Sequence, residues 1–321
     1  MSRQLPDGAE LGGRLRQHDL SAAPAVLNVL ESRAPEARER ADTLLAALSP
    51  AALGHEAPGH VVGVTGPPGV GKSSLLSRLG AEWRARGRTV AMLAVDPTSK
   101  RSGGALLGDR ARIDVDPTDP GVFIRSTAAG DRVGGLARAT RAAAAALSVA
   151  FDIVVIETVG VGQSETDVAD VADSVAVVVQ PASGDVLQFL KAGIMEIPDV
   201  LVVTKSDLGR VAERAVVDLQ ASLRALGAPE TPVVAVSSAS PPSGIADLAG
   251  ALEAHRSGLD LPGRRLKARR MHALADFAAE HGERGVRALG GRRAAERWLE
   301  EQDPALDVPA LLRALERKAA R

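Results

Sequence analysis

Nine residues, Gly66-Pro67-Pro68-Gly69-Val70-Gly71-Lys72-Ser73-Ser74, constrain this chain more than any other stretch. They fit the spacing G-x-x-x-x-G-K-[ST], a loop whose backbone amides cradle phosphate groups. The flanks agree. Val61–Val64 is an apolar run that reads as a buried strand, and Leu75, Leu76, Leu79 and Trp83 recur at helical spacing behind the loop. Gly66, Gly69 and Gly71 permit the sharp backbone turns such a loop needs. The helix start adds positive partial charge where an anion would rest. Lys72 is the expected contact to the β- and γ-phosphates, and the Ser73 hydroxyl an expected Mg²⁺ ligand.

A phosphate loop needs a sheet behind it, and the chain has the material. Of its 321 residues 45% are hydrophobic but only 2% aromatic, so the core is expected to be Ala, Val, Leu and Ile. Strands are predicted at Val61–Thr65, Val90–Val95, Val122–Arg125, Ile153–Glu157, Val175–Gln180, Val200–Thr204 and Val233–Val236. They are apolar and β-branched on both faces, as parallel strands covered by helices are. The expectation is an α/β fold with a doubly wound, mostly parallel sheet and its site at the carboxyl ends of the strands. This domain is expected over 56–258, between an N-terminal helical extension over 1–55 and a C-terminal helical region over 259–321. In the first, Ser21 is placed to cap a helix carrying Val26, Leu27 and Leu30, and Leu44, Leu45 and Leu48 mark another. In the last, Leu274 with Phe277, Val286 with Leu289, Trp298 with Leu299, and Leu311, Leu312 with Leu315 form apolar stripes. No cover for them is legible, which suggests burial in a twofold dimer.

Composition removes several classes. With no cysteine, disulfides, thiolate catalysis and cysteine metal sites are excluded. Lys and Arg number 39 against 40 Asp and Glu, so nothing points to nucleic acid as a partner. The cluster Arg264, Arg265, Lys267, Arg269 and Arg270 reads first as a solvated helix start, and second as a contact for an acidic surface. The polar N-terminus lacks an apolar signal core, and no apolar run reaches the ~20 residues of a membrane span. A cytoplasmic location without membrane contact is the expectation.

Four further segments narrow the chemistry. Thr204-Lys205-Ser206-Asp207 follows a predicted strand and resembles the N-K-x-D base-reading motif, with Thr204 at the Asn position. In that motif the carboxylate, here Asp207, accepts hydrogen bonds from guanine N1 and N2, and the Lys205 stem packs on the ring. The next strand runs into Ser237-Ser238-Ala239, where a guanine O6 loop is expected. Glu157 ends an apolar strand and Gly160 follows three residues on; the acid can hold Mg²⁺ and the Gly160 N–H can meet a γ-phosphate. Asp96 ends the second strand and is a candidate for the Mg²⁺ shell, as is Asp109 on the Gly-rich segment 103–109; each also reads as an ordinary turn aspartate. Gly184-Asp185, with Gln188 and Lys191, is either a mobile loop near the nucleotide or a simple helix cap.

Taken together, Gly66–Ser74, Leu93–Ser99, Gly103–Arg110, Phe151–Glu165 and Gly184–Ile194 resemble the methylmalonyl-CoA mutase-associated (MeaB-type) family, phosphate-loop GTPases of the SIMIBI class once described as arginine/ornithine transport kinases. The likeness runs from about residue 20 to at least 257, and Glu157-Thr-Val-Gly-Val-Gly-Gln-Ser-Glu165 is its most diagnostic string. The resemblance implies a GTP-hydrolysing chaperone that gates adenosylcobalamin delivery to an acyl-CoA mutase such as methylmalonyl-CoA mutase, and that dimerises through its C-terminal helices. GTP or GDP with Mg²⁺ are the implied ligands. The expected catalytic set is Lys72, Glu157, Gly160 and Gln163, with Gln163 orienting water; the metal set is Ser73, Asp96, Asp109 and Glu157. Arg110, Arg125 and Arg132 are equal candidates for a catalytic arginine. A metal-insertion GTPase or a nucleotide-dependent kinase shares the same loop, although six scattered His without Cys disfavour the first.

Overall fold

The computed structural model describes residues 7–32, 34–96, 113–116, 118–128, 138–158, 168–181 and 198–321. Helices α1 (Gly8–Arg16), α2 (Ala23–Glu31), α3 (Pro35–Ala47) and α4 (Pro50–Leu53) precede β1 (His60–Thr65). Then come α5 (Lys72–Ala85), β2 (Val90–Asp96), β3 (Val122–Ala128), α6 (Arg138–Leu147), β4 (Ile153–Thr158), β5 (Ser174–Val179), β6 (Val200–Val203), α7 (Arg210–Ala225), β7 (Val233–Ala235) and α8 (Ile245–Ser257). The chain closes with α9 (Leu261–Ala288), α10 (Arg292–Glu300) and α11 (Val308–Ala319). Two compact units result. One is Gly59–Ala144 with Phe151–Leu259; the other joins Met1–Pro58, Ala145–Ala150 and Asp260–Arg321.

The first unit is a seven-stranded sheet in the order β3-β2-β4-β1-β5-β6-β7, with every pairing parallel. All seven expected strands are present. β1, β4, β5 and β6 are buried at every residue, as strands covered on both faces must be. β7 departs from that pattern: it pairs only with β6 and is half-exposed, because an edge strand has one neighbour. Val62, Val64, Leu75, Leu76, Leu79, Trp83, Met92 and Leu248 pack in one cluster. With so few aromatics, this core is filled by branched aliphatics around a single Trp.

Register at the amino edge is set by a repeated device. Asp152, Asp173 and Asp199 each stand just before a strand, and each accepts a backbone N–H from the start of the neighbouring strand: Thr89, Val61 and Val175, all at 2.8 Å. A fourth aspartate, Asp119, takes the Gly121 N–H at 2.8 Å and receives both arms of the Arg84 guanidinium, each at 2.8 Å. The Arg84 hydrogen bond holds the Asp119 carboxyl below the ordinary value of 3.8. The folded state therefore binds this proton less readily than the unfolded chain, and the pair stabilises the fold above that value. Asp119→Asn should lower the urea midpoint at pH 7, and the gap from the parent should close as the pH falls through and below 3.8. A gap that persists undiminished in acid contradicts this account.

In the second unit, α9, α10 and α11 cover one another. Ala273, Leu274, Phe277, Leu289, Ala295, Leu299, Leu311, Leu312 and Leu315 make one buried cluster, with Val286 and Trp298 packed against it. The stripes without legible cover in the sequence are thus covered within the chain, and α9 is two helical pieces that meet at a break at Gly282 (φ 63°, ψ −170°), one carrying Leu274 and Phe277 and the other Val286. The basic cluster is not one solvated face. Arg269 grips Glu56 with both arms at 2.8 and 2.9 Å, Arg265 donates to the Ala57 carbonyl at 2.6 Å, and Arg270 donates to the Glu300 carbonyl at 2.9 Å. At the start of the chain the cap is Asp19, not Ser21: the Asp19 carboxylate accepts the Ser21 N–H, and α2 begins after a 3₁₀ turn over Leu20–Ala22. An ionised side chain is the stronger acceptor there, and Ser21 donates to it as well. Among the described residues, no helix is long and apolar enough to cross a membrane.

Candidate functional site

In the strand order, β1 lies between β4 and β5, where the connections turn to opposite sides of the sheet. The loop after β1 therefore opens at the switch point that α/β folds use for ligands. Gly66 (φ 146°) has no room for a side chain, since a Cβ would lie 2.2 Å from the Val178 carbonyl oxygen. Gly69 (φ 78°) and Gly71 (φ 100°) have open space but a left-handed backbone that other residues adopt only with strain. Pro68 and Gly69 are exposed at the tip, while Val70 is buried beneath it.

Lys72 begins α5 and is only 7% exposed. Its ammonium donates to the Gly66 carbonyl at 2.6 Å and the Pro67 carbonyl at 3.0 Å, so the charge is held against the loop itself. Ser73, next on the helix, donates its hydroxyl to Glu157 Oε1 at 3.2 Å. Glu157 is opposite Val64 in the β1–β4 register and is buried, which brings a carboxylate to the foot of the phosphate loop. Ser74 is exposed. Thr65 and Thr158, at the ends of the same two strands, are joined by a buried hydroxyl bond at 2.9 Å.

The second cluster hangs from β6 and β7. Thr204 is buried, and its hydroxyl donates to the Val70 carbonyl at 2.7 Å, with the Val179 carbonyl at 3.1 Å. The threonine in the Asn position thus ties the Thr204–Asp207 segment to the phosphate loop by one short bond. Thr204→Val leaves buried carbonyls without that donor and should lower stability by about 1–3 kcal/mol, whereas Thr204→Ser should keep most of it. A valine variant as stable as the parent in urea would remove the tie from the account.

Lys205 takes a left-handed backbone (φ 55°), one of two non-glycine residues to do so among those described. The turn sends Asp207 toward the loop after β7. There Ser237 donates its hydroxyl to Asp207 Oδ1 at 2.6 Å and accepts the Ala239 N–H at 3.2 Å. Ser206 N–H donates to the Val236 carbonyl at 3.0 Å, and Arg78 from α5 holds the Ser238 carbonyl at 3.2 Å. Asp207 is exposed and Ser237 buried, so the acid presents itself to solvent on a fixed support. The sequence reading valued Ser237 for its backbone; its side chain, and Arg78, went unseen because their partners are 30 and 160 residues away.

The structure therefore gathers Gly66–Ser74, Glu157, Thr204, Lys205, Asp207 and Ser237–Ala239 along the carboxyl edge of one sheet. Asp96 ends β2 on the same edge, but its side chain is not among those described. Asp109, Arg110, Arg132, Gly160, Gln163, Asp185, Gln188 and Lys191 lie outside the described residues. Arg125 sits in the middle of β3, three strands from β1.

Residues 7–285 match the family model described as methylmalonyl Co-A mutase-associated GTPase MeaB. A Pyrococcus abyssi protein named as a GTPase is 39% identical over 269 residues, spanning 81% of this chain and 80% of its own length. The methylmalonic aciduria type A homolog, mitochondrial, of Caenorhabditis elegans is 40% identical over 210 residues, 63% of this chain and 53% of the worm protein. A crystal structure of an LAO/AO transport system kinase superposes with a TM-score of 0.65 at 25% identity, over 98% of both chains. The chain belongs to the methylmalonyl-CoA mutase-associated GTPase family, MeaB, and is a GTPase on a phosphate-loop fold.

Proposed function

We propose that this GTPase acts as a nucleotide-gated chaperone for an adenosylcobalamin-dependent acyl-CoA mutase, using GTP hydrolysis to time delivery and protection of the cofactor. One observation carries the nucleotide part: the Lys72–Ser73–Glu157 cluster and the Thr204–Asp207–Ser237 cluster share one sheet edge and are tied together through Thr204 and Val70. The family description, with its mutase association, supports the client.

Hydrolysis by such a site is positioning and electrostatics. A phosphate oxygen competes for the Lys72 protons now given to Gly66 and Pro67, and the ammonium then stands against the charge that develops on the β/γ-bridge. The donor set beside it is all oxygen, with the Ser73 hydroxyl and the buried Glu157 carboxylate within 3.2 Å of each other, which suits Mg²⁺. Ser73 would ligate the ion, and Glu157, Asp96 and Asp109 would complete its inner or outer shell. When bound, Mg²⁺ neutralises charge on the β- and γ-phosphates. Gly160 would sense the γ-phosphate and Gln163 orient the attacking water. Gly66–Ser74 would hold the phosphates; Lys205, Asp207 and Ser237–Ala239 would hold guanine.

A cytoplasmic homodimer completes the proposal. Since the apolar stripes of α9–α11 are spent on their own core, a dimer through these helices would use their outer faces. A kinase reading draws on the LAO/AO relative alone, and transfer of label from γ-labelled GTP to a small acceptor rather than to water would favour it. The test of the chaperone reading is cofactor loading. Apo-mutase should take up adenosylcobalamin under control of this chain only with hydrolysable GTP; loading that ignores the chain and its nucleotide would overturn it.

A further inference from the structure

The Lys205 side chain is exposed, but its far end has a fixed partner. Its ammonium donates to the side-chain oxygen of Gln180, which directly follows β5. Lysine has only protons to give, so the amide must present Oε1. Lys205 itself follows β6, and β5 lies between β6 and β1. The lysine stem therefore runs across the sheet edge, from the strand that carries Asp207 toward the strand beside the phosphate loop. Its left-handed backbone is a strained conformation for a residue with a side chain. Two constraints thus act on one lysine: a backbone bent to launch the stem sideways, and an acceptor that holds its far end.

We infer that Gln180 is a positioning residue for the guanine platform: by pinning the ammonium it lays the four-carbon stem of Lys205 flat where the purine ring packs. This rests on the base-reading assignment of Lys205 and Asp207 made above. A lysine stem on a surface loop samples many rotamers, and ordering it on binding is unfavourable. Anchoring it beforehand removes that term, and the ring meets a preformed apolar strip. Gln180 touches the lysine rather than the base. Its loss therefore weakens binding of the base without altering the phosphate cluster of Lys72, Ser73 and Glu157.

The experiment compares Gln180→Leu, which keeps the bulk and loses the acceptor, with Gln180→Glu, which keeps an acceptor oxygen. Leucine should weaken GDP binding and raise KM for GTP by about three- to tenfold, the range for one hydrogen bond, with kcat held. Glutamate should stay within about twofold of the parent. Inhibition by pyrophosphate, which engages only the phosphate loop, should be equal in all three proteins. If Gln180→Leu binds GDP as the parent does, or if GDP and pyrophosphate weaken together, the platform role is overturned. Asp207→Asn run alongside separates the two levels: should it leave guanine selectivity intact, the base-reading assignment fails, whatever Gln180 does.

Discussion

Lys72→Ala should reduce GTP hydrolysis by about 10²- to 10³-fold, the usual loss when one charge-stabilising donor is taken from a developing oxyanion. The reasoning is local. Lys72 is buried at the foot of the loop, and its ammonium donates to the Gly66 and Pro67 carbonyls. Both acceptors are neutral backbone oxygens, which an incoming phosphate oxygen can displace. Alanine leaves the loop glycines and the start of α5 in place, so the loss should fall on triphosphate binding and turnover. Circular dichroism and a urea midpoint establish that the variant folds; a folded variant that hydrolyses GTP at the parental rate sinks the assignment of the site.

Asp207→Asn should move the preference from guanine toward xanthine nucleotides. Two hydrogen bonds from guanine N1–H and the 2-amino group to a carboxylate are each worth about 1.5–3 kcal/mol, so GTP affinity should fall by about 10²- to 10⁴-fold. The structure adds a reason for the gain on xanthine. Ser237 donates its hydroxyl to Asp207 Oδ1. In the amide variant that proton selects the amide oxygen for Ser237 and turns the N–H₂ outward. Xanthine offers a carbonyl at C2, where guanine offers an amine, and so accepts from that N–H₂. Equilibrium titration with GDP and XDP reads both arms, and unchanged guanine selectivity would remove Asp207 from base recognition.

Strands were the most legible part of this fold because burial on both faces leaves a strong mark: Ile153-Val-Val-Ile and Val175-Ala-Val-Val-Val permit little else. Their ends were less so, since a strand stops where its neighbour stops, and β7 proved shorter and wetter than its composition suggests. The site was legible wherever one short motif carries the geometry, as at Gly66–Ser73. It was illegible wherever two distant residues share one task. Nothing near Thr204 in sequence says that its hydroxyl serves Val70, 134 residues earlier. Nothing near Arg269 points to Glu56, although that pair turns an apparent basic patch into an internal brace. The apolar stripes of α9–α11 show the converse error. Each stripe was visible, but helical periodicity gives the direction of burial without naming what covers it. Ser21 illustrates a smaller rule: a serine beside an aspartate yields the cap to the ionised group.

The most direct test is the rate of GTP hydrolysis with Mg²⁺, alone and with a purified adenosylcobalamin-dependent acyl-CoA mutase from the same organism, with ATP as control. The account predicts slow turnover of GTP over ATP that rises when the mutase is added. Turnover that does not distinguish GTP from ATP contradicts the base site built on Asp207 and Ser237, and guanine-selective turnover indifferent to every such mutase contradicts the chaperone role.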